Sequence, residues 1–108
     1  MPDLNANVEG LDLATSTTPA SRVLAVDYTL PWHLVIHNVT GGDITQVKVR
    51  SRTHEKAPWT AWETVTSGLP LKSPDTLSLV EKDTRAQAIE VELTANADGV
   101  ATFWLAGV

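Results

Sequence analysis

Residues 86–94 read AQAIEVELT, residues 96–99 read NADG and residues 100–106 read VATFWLA. In the first stretch Ile89, Val91 and Leu93 alternate with Glu90 and Glu92. A period of two puts the aliphatic side chains on one face of a strand and the carboxylates on the other. Ala, Gln and Glu also suit a helix, but the strict alternation and the β-branched positions favour a strand. Asn96 to Gly99 is turn chemistry. The last stretch is apolar on both faces, with Ala101, Phe103 and Leu105 on one and Val100, Trp104 and Ala106 on the other. A strand of that kind is sandwiched between layers or lies at a subunit interface.

The same period runs backwards through the chain. Arg22 to Leu30 alternates, with Leu24, Val26, Tyr28 and Leu30 on one side, and Pro31 ends it. Trp32, Leu34 and Ile36 share a face of the next strand, opposite His33, Val35 and His37. Thr40 to Asp43 contains Gly41-Gly42, which supplies the positive φ of a tight hairpin. Ile44 to Thr53 sets Val47 and Val49 against Gln46, Lys48, Arg50 and Arg52. Trp59 to Val65 and Thr76 to Val80 read as short strands, separated by Pro70 and Pro74, which a central strand would not tolerate. About seven strands with turns every ten or so residues predict an all-β fold: one antiparallel β-sandwich or jelly-roll-like domain over residues 22–108.

Residues 1–21 differ in character. They hold no Lys, Arg, His or aromatic residue, and Asp3, Glu9 and Asp12 give them −3 of the chain's formal net charge of −5. The run from Ala14 to Ser21 is small, polar and interrupted by Pro19. This reads as an extended arm whose Leu4, Val8, Leu11 and Leu13 bury apolar area on a neighbouring subunit rather than in their own domain.

A chain of 108 residues with 43% hydrophobic residues is one ordinary globular domain. Only 6% of it is aromatic, but that includes four Trp, so large anchors supplement an aliphatic core. The acidic balance argues against a nucleic-acid partner. With no cysteine, disulfides, thiolate metal sites and a thiol nucleophile are excluded. No apolar run approaches a membrane span and no secretory leader is visible, so cytosolic synthesis and no membrane partner are expected.

Chemistry-bearing residues are sparse. His33 and His37 share a strand face, but four positions along a strand is about 13 Å, too far for one metal ion. Asn96, Asp98 and Gly99 read as a hairpin turn rather than a calcium loop. Glu90 and Glu92 mimic a carboxylate pair, but such spacing is what a half-solvated sheet presents. No phosphate loop or nucleophile motif occurs, so no catalytic residue, cofactor or metal is expected and the protein is read as a non-enzyme. The stripe Lys48, Arg50 and Arg52 pairs with Glu90 and Glu92 if those strands are neighbours; the alternative is contact with an acidic partner, such as the acidic arm of another copy. In Trp59-Thr-Ala-Trp62, positions three apart on a strand face opposite ways, so one Trp can enter the core while the other faces out; the alternative is that both are buried at a sheet edge. Asn38-Val-Thr40 is a glycosylation sequon taken as chance.

The layout of polar arm, cysteine-free acidic β-domain and Asn96–Gly99 turn leading to Leu105-Ala-Gly-Val108 resembles small accessory proteins of tailed bacteriophage particles. That resemblance implies a virion protein made in the host cytoplasm. It would decorate or join a capsid or tail, with copies of itself or a larger shell protein as partners. Trp59 to Trp62 after Val47 to Ser51 also resembles fibronectin-type or carbohydrate-binding sandwiches, although Lys72 to Arg85 breaks their spacing. Two functions follow as expectations. One is an assembly protein whose interface draws on Leu4, Val8, Leu11, Leu13, Trp59, Trp62, Phe103 and Trp104. The other is a non-catalytic carbohydrate-binding module in which Trp59 or Trp62 stacks on a sugar.

Overall fold

The computed structural model describes residues 7–28, 31–82 and 85–107, and of residues 7–9 and 107 the backbone alone. Eight strands follow in order: β1 (Asn7–Thr15), β2 (Ala20–Ala25), β3 (Trp32–Asn38), β4 (Ile44–Arg52), β5 (Glu63–Thr64), β6 (Thr76–Glu81), β7 (Ala88–Ala95) and β8 (Gly99–Gly107). They form two four-stranded antiparallel sheets, β1-β8-β3-β6 (sheet A) and β2-β7-β4-β5 (sheet B). Only β4 and β5 are neighbours both in sequence and in a sheet; every other pairing crosses the chain, as in a jelly roll. No helix among the described residues is long and apolar enough to cross a membrane.

The alternation read from the sequence fixes what each sheet turns inward. Trp32, Leu34 and Ile36 of β3, Ile89, Val91 and Leu93 of β7, and Ala101, Phe103 and Leu105 of β8 are all buried in one core. The two-sided apolar strand β8 is central in sheet A, between β1 and β3, so its inner face meets the core and its outer face carries Trp104. The all-β expectation therefore holds, with one more strand than the sequence suggested.

The extra strand is the expected arm. From Asn7 to Thr15 the chain pairs with β8, Leu11 lying opposite Phe103 and Leu13 opposite Ala101. Leu13 is buried and Leu11 packs against the core from partial exposure. Leu11, Leu13 and Thr15 face in while Asp12 and Ala14 face out, an alternation too short to notice beside the polar run that follows. That run, Ser16 to Pro19, is the crossing between sheets: Ser16 accepts a hydrogen bond from the Ala95 amide at 2.9 Å, and β2 begins at Ala20. The division at residue 21 thus cuts through a strand. Leu4 lies outside the described residues.

A further boundary differs. β2 stops at Ala25, because Asp27 and Tyr28 turn into left-handed backbone (φ 46° and 65°). Three successive amides, Val26 to Tyr28, donate to the carbonyls of Gln87 and Ala86. Tyr28 is consequently exposed instead of following Val26 into the core, and Leu30 lies outside the described residues. The sequon is closed: Asn38 is fully buried, and its Nδ2 donates to the Leu71 carbonyl (2.7 Å) and the Gly42 carbonyl (2.9 Å). Its Oδ1 accepts from the Thr40 amide and hydroxyl, so every polar site of this side chain is used in holding the β3–β4 turn.

Candidate ligand-binding surfaces

The outward faces of the two sheets carry different chemistry. On sheet B, β4 and β7 are neighbours, with Lys48 opposite Glu92 and Arg50 opposite Glu90. One of the expected pairs is present: Arg50 donates from Nε to Glu90 Oε1 at 2.7 Å, and Nη2 lies 2.5 Å from the same oxygen. The Ser21 hydroxyl donates to Glu90 Oε2 at 2.7 Å. Partial burial alone would raise the Glu90 carboxyl; the Ser21 hydrogen bond and Arg50 outweigh it and hold the group below the usual carboxylate value. Arg52 donates from Nε to Gln87 Oε1 at 2.8 Å.

Trp59 and Trp62 belong to this charged face. The segment from Pro58 to Trp62 is not a strand; β5 is only Glu63–Thr64. Freed from strand alternation, both indoles come to the same side. The Arg50 guanidinium lies 4.3 Å from the Trp62 ring centre and 5.2 Å from that of Trp59, and the Arg52 guanidinium lies 4.7 Å from Trp59. Neither Trp enters the core, and both are half-buried. The expected split of one in and one out is replaced by an Arg–Trp stack. Each contact contributes about 0.5–2 kcal/mol, depending on how dry it is.

Sheet A presents the opposite case. Trp104, in the middle of β8, is 47% exposed. Beside it on β3 is Val35, and beyond that on β6 is Ser78. One row along, His33 lies between Ala106 and Val80; on the other side, His37 lies between Thr102 and Thr76. His33 Nε2 and the Ser78 hydroxyl share a short hydrogen bond. The Thr102 hydroxyl donates to Asp12 Oδ1 at 2.8 Å. Asp12 is the sole Asp or Glu, and there is no Lys or Arg, among the described outward side chains of sheet A.

The seat of Trp104 is built by β1. A bulge between Val8 and Leu11 breaks the β1–β8 register there. Gly10 takes φ +63° in this bulge, a conformation that L side chains rarely adopt. A Cβ on Gly10 would lie 3.5 Å and 3.6 Å from Cη2 and Cζ2 of Trp104, so the six-membered ring of the indole rests by the glycine backbone.

The other residues singled out from the sequence fall elsewhere. Phe103 and Leu13 are core, Leu11 is half-buried behind β8, and the backbone of Val8 lies opposite Leu105. No group of three or more His, Asp or Glu among the described residues could hold a metal ion. Gly10 was not legible as a functional position, because its role depends on a bulge. Arg50 and Arg52 were legible as a basic stripe, but not as the supports of Trp59 and Trp62.

No protein-family model matches the chain, and no curated protein matches it in sequence. Solved structures share its fold at low identity. A chitosan-binding module from a chitosanase/glucanase of Paenibacillus sp. IK-5 superposes with a TM-score of 0.59 at 15% identity, over 89% of this chain and 74% of that one. PirA superposes with a TM-score of 0.55 at 13% identity, over 89% of this chain and 92% of that one. At such identity the likeness is one of sandwich fold.

Proposed function

We propose that this protein is a non-catalytic glycan-recognition module, and that Trp104 is its stacking platform. The observation that carries the reading is the exposed indole at the centre of sheet A, 47% accessible on a sheet face. A pyranose ring offers C–H groups to an aromatic face and hydroxyls to its surroundings. Around Trp104 those hydroxyls meet His33, Ser78, His37 and Thr102, which offer donors and acceptors, and Asp12, which accepts. With Asp12 as the one carboxylate and no cation among the described side chains there, the face suits a neutral or amine-bearing glycan rather than an acidic one. Trp59 and Trp62, the aromatic pair favoured by the sequence, already stack on Arg50 and Arg52. That a chitosan-binding module uses this fold is compatible with the reading but does not carry it, since a sandwich hosts many functions.

Calorimetric titration with a chitosan hexamer, a cellulose hexamer and a polyuronate hexamer tests it. At least one of the first two should bind in preference to the polyuronate, and Trp104→Ala should weaken that binding by about tenfold or more. Unchanged binding in Trp104→Ala, or retention of none of the three, refutes it.

The second reading is an assembly contact, in which the same face meets another copy of the chain or a larger particle such as a phage capsid. It is favoured by the apolar company of Trp104: Val80, 54% exposed, and the half-buried Val35. A native mass above that of the monomer, reverting on Trp104→Ala, would support it against the glycan reading.

A further inference from the structure

A second site lies between the sheets at the edge away from β1 and β2. There the sandwich holds a cleft of about 380 Å³. Val49 and Ile89 of sheet B, Leu79 of sheet A and Val65 form its apolar lining, and Trp32 lines it from the start of β3. This volume lies within the range of small-molecule sites.

Two features of the lining are not those of a mere gap. Trp32 is 94% buried by its 6% exposure, yet its Nε1–H has no hydrogen-bond partner. A buried donor without an acceptor costs about 1–3 kcal/mol, which a bound acceptor would recover. The second feature is charge turned inward. Glu81 pairs with Trp32 in the β3–β6 register, and Glu63 pairs with Val49 in the β4–β5 register. Directly paired residues of an antiparallel ladder share a face. Trp32 and Val49 face inward, so Glu81 and Glu63 are carried on the inward faces of the two opposing edge strands, and both line the cleft. Arg50, the cation in the lining, has its guanidinium committed to Glu90 and the two indoles. Polar acceptors Ser51 and Thr64 complete the mouth.

We infer that this cleft is a binding site for a small ring compound bearing a hydroxyl group and a protonated amine, the hydroxyl oxygen accepting from Trp32 Nε1–H, the ring against the apolar lining and the ammonium toward Glu63 and Glu81. The site is separate from the Trp104 face and stands whether or not that face binds glycan. The alternative is that the two carboxylates only guard the sheet edges against pairing with another chain, a known use of inward-pointing charge.

Indole N–H signals in a ¹⁵N-labelled sample read the two sites apart. The Trp32 signal is identified by its loss in Trp32→Phe. Titration is made with trans-4-aminocyclohexanol and D-glucosamine, which both carry a hydroxyl and an amine but differ in ring polarity, and with D-glucose, which lacks the amine. The expected result is saturable movement of the Trp32 signal with at least one amine, weaker movement with D-glucose, and an amine affinity about tenfold lower in Glu63→Gln. Glu63 is exposed, so this variant keeps the fold. The inference is overturned if neither amine moves the Trp32 signal saturably, if D-glucose binds as well as both amines, or if Glu63→Gln leaves amine affinity unchanged. Movement of the Trp104 signal alone leaves the glycan reading standing and overturns this one.

Discussion

The outward faces of sheets A and B each present tryptophan to solvent, and they use it differently. On sheet B, Trp59 and Trp62 are stacked on Arg50 and Arg52, and Arg50 is held in turn by Glu90. On sheet A, Trp104 rests by the backbone of Gly10 and leaves nearly half its surface open. The difference shows that the availability of an aromatic side chain depends on its neighbours more than on its own position. A guanidinium over an indole completes a structural stack; a glycine beneath one supports it without covering it. Stability should therefore be sensitive on sheet B, and recognition on sheet A.

The largest effect that could break this contrast concerns β1, which supplies both Leu13 to the core and Gly10 to the seat of Trp104. Removing residues 1–15 strips β8 of its neighbour, and the protein should lose its cooperative urea unfolding transition. Were residues 1–15 an arm outside the fold, the midpoint would hardly move. Next in size is Arg50→Ala. It leaves Glu90, whose side chain is 14% exposed, without its cation and removes a support of both indoles. Denaturant unfolding should show a loss of about 1–3 kcal/mol, while glycan affinity stays within twofold. Gly10→Ala should cost about 1–2 kcal/mol, because the backbone there is left-handed. Since the added methyl group makes only ordinary contact with Trp104, glycan binding should survive wherever the protein remains folded. Loss of binding with unchanged stability would show that the seat is more exacting than described. The smallest effect is electrostatic. The Glu90 carboxyl is held below its ordinary value when folded, so its contribution is present above the unfolded pKa and is lost as pH falls through the folded one. Glu90→Gln should flatten the decline in stability below about pH 4 in thermal unfolding.

Much of this was legible in the chain. Ile89, Val91 and Leu93, with Trp32, Leu34 and Ile36, gave the inner faces by simple alternation, and the Arg50–Glu90 pair followed once their strands were neighbours. β1 was missed because its alternation spans few side chains and lies beside Ser and Thr residues that suggest a linker. Burial against β8 decides its state, and no local propensity reports that contact. The arrangement of Trp59 and Trp62 was misread because strand parity was applied to a loop. The alternation of β8 separated Trp104 from Phe103 without telling which of the two faces outward, and the seat of Trp104 could not be read, since Gly10 is 94 residues away in sequence. The cleft depends on which strands form the sheet edges, and that follows from topology rather than from any motif.

The contrast between the faces is tested most directly by hydroxyl-radical footprinting, read by mass spectrometry at each tryptophan, with and without a saturating chitosan or cellulose hexamer. Trp104 should oxidise faster than Trp59 and Trp62 in the free protein and be the one of the three that the glycan protects. Protection of Trp59 and Trp62 with Trp104 unchanged would contradict the account and return recognition to the Arg–Trp stack of sheet B.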